Sequence, residues 1–348
     1  MWKFTRLNAN RSSGVAAPIP PRPIFSVTAR FSQLLILLLT VSGILQCAGT
    51  GTLPRPARLS LDVATSRWAA RDGKVLPFTK WPGDPKPAQG VVICIHGLSG
   101  AASDFWPIGD TLPKQGYAVY GLQLRGQGND PDLKRRGDIR SRQQWLDDLE
   151  DFTGLVKRRH RGVPVYWYGE SLGALIVTYA AASVEPRAAP QGIILSSPVV
   201  ELRGNLQLGL VKNFLLRAML NFLPGQKVSL EALGNAEVQV TSQTTHRHQM
   251  QHTAHYVPAF SLRLFAEIEQ LIKKAPQTAA KLQIPVLVLY TPHDPLVSQE
   301  GVERFYQLIA SPRKTKAFFS KSYHLILHDQ ERARAVKTVS DWLARRGR

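Results

Sequence analysis

Tyr166-Trp167-Tyr168-Gly169-Glu170-Ser171-Leu172-Gly173-Ala174 joins an apolar, strand-like run to a segment of helical spacing through a Gly-x-Ser-x-Gly element. A strand that turns this sharply into a helix needs small residues on both sides of the turn, and the turn lifts the serine hydroxyl clear of the sheet. The junction also restricts the architecture, because a strand feeding directly into a helix is the first half of a strand–helix–strand unit and implies a parallel sheet. A glycine-rich strand end with an idle serine is the bland alternative, and the flanking strand and helix weigh against it.

The rest of the chain fits that frame. Leu59 to Thr65 and Lys74 to Trp81 read as a leading antiparallel pair around Asp72-Gly73. Gly90 to Ile95, Ala118 to Leu122, Val163 to Tyr168, Gly192 to Leu195, Pro285 to Tyr290 and Lys314 to Phe319 follow as short apolar strands. Helical periodicity runs over Trp145 to Val156, Leu172 to Ala182 and Asp329 to Arg345. The expected fold is α/β, a mostly parallel sheet flanked by helices over residues 59–348. From about 201 to 280 no strand is clear, while Leu208 to Leu223 and Ser261 to Lys273 read as helices. A helical cap inserted after the sixth strand is therefore expected, covering the strand ends where such folds keep their ligands.

A serine hydroxyl becomes a useful nucleophile only when a base takes its proton, and the base must be oriented by a carboxylate. Thr291-Pro292-His293-Asp294-Pro295 follows one buried-looking strand and Ser322-Tyr323-His324 follows the last, so Asp294 and His324 are the candidates to complete a triad with Ser171. An ordinary Asp-Pro surface turn is the alternative for Asp294. His328 is the rival base, expected to face solvent or cap the last helix, and His293 reads as a loop residue. Acyl transfer also needs donors for the developing oxyanion. His96-Gly97-Leu98-Ser99-Gly100 supplies one loop, which makes the N–H groups of Leu98 and Leu172 the candidate pair. His96, Gly97, Gly169 and Gly173 are the supporting motif positions.

Composition bears on location and partners. The chain has 348 residues and a formal net charge of +19. Its basic residues are spread rather than gathered into a stripe, which argues against nucleic acid and for an anionic lipid surface. Lys3, Arg6, Arg11, Arg22 and Arg30 precede an apolar run from Leu34 to Leu45, the order of a signal peptide or membrane anchor over residues 1–49, with a linker at 50–58. The expected location is exported and membrane-anchored, and Cys47 is the candidate for lipidation. Cys47 and Cys94 are the only cysteines, so thiol chemistry is not a theme. His246, His248, His252 and His255 fall in a short stretch that carries neither cysteine nor carboxylate. Solvated or loop histidines are the expectation there, with no metal and no cofactor.

These residues together resemble the monoacylglycerol lipase and lysophospholipase branch of the α/β-hydrolases, grouped with serine aminopeptidases, over about residues 60 to 345. Leu124-Arg125-Gly126-Gln127-Gly128 and Ser196-Ser197-Pro198 are similar to further elements of that branch. Gln127 stands where the branch has histidine, and Gln123 and Leu124 stand where it often has an acid. The resemblance implies a serine esterase acting on a small ester or lipid, with Ser171, Asp294 and His324 as triad, Leu98 and Leu172 as oxyanion hole, and an apolar cap that shields an acyl chain. A peptidase or amidase on the same scaffold, and a silent membrane-associated binding protein, are the competing expectations. The cap shows no acidic cluster that would hold a substrate's amino group.

Overall fold

The computed structural model describes residues 58–83, 88–183, 188–203, 219–229, 232 and 237–346. Among these, eleven strands are β1 (Ser60–Asp62), β2 (Arg67–Ala69), β3 (Val75–Lys80), β4 (Gly90–Ile95), β5 (Tyr117–Leu122), β6 (Val165–Glu170), β7 (Gly192–Ser196), β8 (Lys227–Ser229), β9 (Ala259–Ser261), β10 (Val286–Tyr290) and β11 (Lys314–Phe318). Nine of them form one sheet in the order β1-β2-β3-β5-β4-β6-β7-β10-β11. β1 to β3 are antiparallel and β3 meets β5 antiparallel, while every pairing from β5 to β11 is parallel. The expected strand Leu59 to Thr65 is instead the first arm of a hairpin. Asp62 accepts from the Ala64 and Thr65 amides and stops it, and the strand paired with β3 around Asp72-Gly73 is β2.

Every residue of β4, β5, β6, β7 and β10 is buried, as a parallel strand covered on both faces requires. Alternate side chains feed two cores. Val91, Ile93 and Ile95 join α1 (Gln143–Arg159) and α2 (Leu172–Ser183) on one face. Val92 and Cys94 join Phe105, Ile108 and the last helix on the other.

The insertion follows β7, the sixth strand anticipated from sequence once the leading hairpin is counted as one. It contains the β8–β9 pair, α3 (His246–His252) and α4 (Leu262–Ala279). α4 packs against α2, and Leu264, Leu271 and Ala275 are buried there, so the end of the insertion extends the helical layer as well as covering the sheet. Most of the expected helix Leu208 to Leu223 lies outside the described residues. α5 (Gln299–Leu308) and α6 (Arg332–Ala344) complete the fold, with Trp342 of α6 fully buried.

The expected membrane-anchored location is corrected. Among the described residues no helix is long and apolar enough to cross a membrane. The two longest, α1 and α4, bury one face and carry charges such as Asp147, Lys157, Glu269 and Lys273 along their length, and such charges are costly inside a bilayer. The leader at 1–49, with Cys47, lies outside the described residues, as does the linker apart from Arg58.

Candidate active site

The carboxyl ends of β4, β6, β7, β10 and β11 converge on Ser171, which sits between β6 and α2 with φ at 56°. That left-handed backbone is costly for a residue with a side chain and holds only where surroundings enforce it. Here they do. The Ser171 amide donates to Ser196 O (2.9 Å), and the Ala174 amide donates back to Ser171 O (3.1 Å). A β-carbon on Gly173 would lie 2.0 Å from Ile95 O, and one on Gly169 would lie 2.4 Å from Gly173 O, so the motif glycines are demanded by contact between α2 and the sheet.

His324 Nε2 lies 2.9 Å from Ser171 Oγ, and His324 Nδ1 lies 2.7 Å from Asp294 Oδ2. All three side chains are buried, Ser171 at 8% exposure and the others at 3%. Asp294 Oδ1 accepts the amides of Leu296 (2.9 Å) and Val297 (3.2 Å), which closes its loop and leaves Oδ2 for the imidazole. The His324 loop is tied to the sheet end by Ser197, whose hydroxyl donates to His324 O at 2.6 Å. Burial works against a charged His324 imidazole, but Asp294, by charge and hydrogen bond, and Glu170, by charge, outweigh it and raise its pKa.

Over Ser171 runs the loop from His96 to Gly100. Burial lowers the His96 pKa to about 4, so the ring is neutral. Its Nε2 accepts from the Leu124 amide (3.1 Å) and Gln123 Nε2 (3.0 Å), which leaves Nδ1–H to donate to Gly97 O (2.8 Å). Gln127 Oε1 accepts the Ser99 amide at 2.8 Å. The two glutamines that depart from the branch pattern are thus the struts of this loop. Arg125 between them is clamped by Asp72 and Asp148. Among the described residues, the N–H groups of Leu98 and Leu172 donate to no protein acceptor, and both residues border the same cavity as Ser171.

The cavity has a volume of about 1310 Å³. Its apolar wall includes Leu175, Val199, Val200, Leu262, Phe265 and Ile268. Ser99 stitches the cap to the loop, its hydroxyl donating to Val257 O (3.0 Å) and accepting the Val257 amide (2.7 Å). His246, His248, His252 and His255 all border the cavity; His248 and His252 are exposed, in line with the expectation of solvated cap histidines, whereas His246 and His255 are half-buried. His255 Nε2 is 3.3 Å from Asp104 Oδ1. His328 does not face solvent or cap α6. It borders the cavity and packs its ring on Trp106. His293 stays on its loop, with Nε2 3.0 Å from Ser320 O.

Sequence reasoning missed two acidic side chains at the Ser171 end of the cavity, Asp104 and Glu170. Neither lies in the cap, where an acidic cluster was sought. Glu170 was visible as the residue before the serine, whereas Asp104 carried no local signal.

The comparisons agree with this architecture. The chain is 28% identical over 263 residues to phospholipase YtpA of Bacillus subtilis, covering 74% of this chain and 96% of the relative. It is 24% identical to a monoacylglycerol lipase of Mycolicibacterium smegmatis, covering 79% and 95%. A soluble variant of monoglyceride lipase from Saccharomyces cerevisiae, solved with a substrate analog, superposes with a TM-score of 0.70 at 20% identity, covering 84% of this chain and 98% of that one. The sequence model described as serine aminopeptidase, S33, matches residues 86–331, more than half of the chain. The chain belongs to that family of α/β-hydrolases, within its lipase and lysophospholipase branch.

Proposed function

We propose that the chain hydrolyses the carboxylic ester of a single-chain lipid, a monoacylglycerol or a lysophospholipid, through an acyl-enzyme on Ser171. The observation that carries the reading is the hydrogen-bonded series Ser171–His324–Asp294, opening into a cavity with an extended apolar wall. Ser171 Oγ attacks the carbonyl carbon while its proton passes to His324 Nε2, and Asp294 holds Nδ1–H and favours the imidazolium. The carbonyl oxygen, now anionic, takes the free N–H groups of Leu98 and Leu172. His324 then returns the proton to the departing alcohol oxygen. Water, deprotonated by the same imidazole, attacks the acyl carbon and releases the fatty acid and Ser171.

An apolar wall favours one acyl chain, since burying each further methylene contributes about 0.8 kcal/mol. The names carried by the relatives, phospholipase and monoacylglycerol lipase, support the same substrate class. The test is turnover of monoacylglycerols and lysophospholipids of graded chain length, against short soluble esters and aminoacyl anilides, by wild type and Ser171→Ala. Rising kcat/KM with chain length, absent in the variant, is the expected result. Cleavage confined to short esters, or to anilides, would overturn the substrate.

A further inference from the structure

Glu170, immediately before Ser171, has no task in the chemistry above. It ends β6, is 4% exposed, and borders the cavity beside Ser171. Among the described residues neither of its carboxyl oxygens accepts a hydrogen bond, and Oε1 is fully enclosed. An unpartnered buried carboxyl is unfavourable to folding, so one retained beside a reacting group calls for a functional account.

Its surroundings identify what it acts on. Strand alternation and register place Tyr168 and Cys94 on its face of the sheet, and the charge of Glu170 adds to their burial in raising both pKa values, which keeps them neutral. Asp104, on the turn after β4, adds a second negative charge that disfavours ionisation of Glu170. His324 is the group whose positive charge favours it. The imidazole is hydrogen-bonded to Asp294 and to Ser171, the residue after Glu170, and Glu170 and, from the cap, His246 border the same cavity as His324 and act on it by charge.

We propose that Glu170 is a positioning residue for His324, a second carboxylate whose charge, without a hydrogen bond, favours the imidazolium formed when Ser171 gives up its proton. This rests on the reading of Ser171, His324 and Asp294 as the reacting set. In the step itself the proton moves from Ser171 Oγ to His324 Nε2 as the Oγ–carbon bond forms, and Glu170 neither gives nor takes one. Burial lifts the Glu170 carboxyl to about 7, so its charge develops across the range in which His324 becomes a free base, and the two groups titrate as a coupled pair.

The experiment is the pH profile of kcat/KM on a p-nitrophenyl ester for wild type, Glu170→Gln and Glu170→Asp, with the rate of labelling by a fluorophosphonate measured alongside. The wild-type acid limb should be steeper than one ionisation allows. In Glu170→Gln the limb should follow a single proton and move to lower pH, with a plateau lowered roughly tenfold and KM little changed. Glu170→Asp should recover part of the loss. A one-proton limb in wild type, or a limb unmoved in slope and position by Glu170→Gln, would overturn the proposal even if activity fell. Wild type that fails to label would instead overturn the reading of the reacting set.

Discussion

Gly97 and Ser171 pass each other so closely that a β-carbon on Gly97 would lie 2.9 Å from the Ser171 β-carbon and 3.4 Å from its hydroxyl oxygen. The loop carrying the Leu98 N–H therefore packs on the reacting serine with room for a glycine hydrogen but not for a β-carbon. Gly97→Ala cannot be accommodated without moving one of the two. The expected outcome is a kcat lower by about 10²-fold, comparable to losing one oxyanion donor, with a smaller change in KM. Steady-state kinetics beside a thermal melt check this, and a melt shifted by more than a few degrees would mean that the fold and not the donor had been disturbed.

Ser99 makes a different demand on the same loop. Its hydroxyl satisfies both backbone groups of Val257, so Ser99→Ala leaves a buried carbonyl and a buried amide unpaired. The expected cost is about 1–3 kcal/mol, read by denaturant unfolding. Amide exchange at Val257 should quicken with it, since the cap then loses its stitch to the sheet end.

Because Asp294 and Glu170 raise the His324 pKa against the effect of burial, the free base is depleted as pH falls through a value above that of an ordinary imidazole. Activity should fall on the acid side accordingly. Asp294→Asn removes the larger of the two supports. The variant should lose about 10⁴-fold in kcat and shift its acid limb to lower pH. An acid limb that stays in place would show that His324 is not the group titrating.

Glu170 also predicts a pH dependence of stability, with the opposite sign to a salt-bridged carboxylate. Its folded pKa of about 7 exceeds the ordinary value of 4.5, so the native state holds more protons than the unfolded state between those values. Stability should therefore decline as pH rises through that window, by on the order of 3 kcal/mol from this group. Glu170→Gln should abolish that decline and be the more stable protein at pH 8, as chemical denaturation at pH 5 and pH 8 would show.

How much of this was legible in the sequence depends on how local each signal was. The Gly-x-Ser-x-Gly junction is readable because strand, turn and helix are contiguous, and the parallel strands are readable because burial on both faces makes them apolar throughout. Asp294 and His324 were accessible through their position after strands. The β1–β2 hairpin was not, since its two arms have only three residues each. The roles of Gln123 and Gln127 depend on His96 and Ser99, which are 27 and 28 residues away. Which of the cap histidines are solvated was not legible, because nothing in their own segment reveals that His246 and His255 lie half-buried at the cavity while His248 and His252 stay exposed. Charge and an apolar leader suggested membrane anchoring, and they say nothing about the one-sided burial of α1 and α4, the two longest helices of the described fold.

The most direct test of the account is reaction of the purified full chain with a fluorophosphonate, followed by mapping of the modified peptide, for wild type, Ser171→Ala and His324→Ala. The account predicts a single adduct on Ser171 in wild type, none on Ser171→Ala, and labelling slowed by orders of magnitude in His324→Ala. Folded wild type that remains unmodified, or an adduct on any other residue, would contradict it.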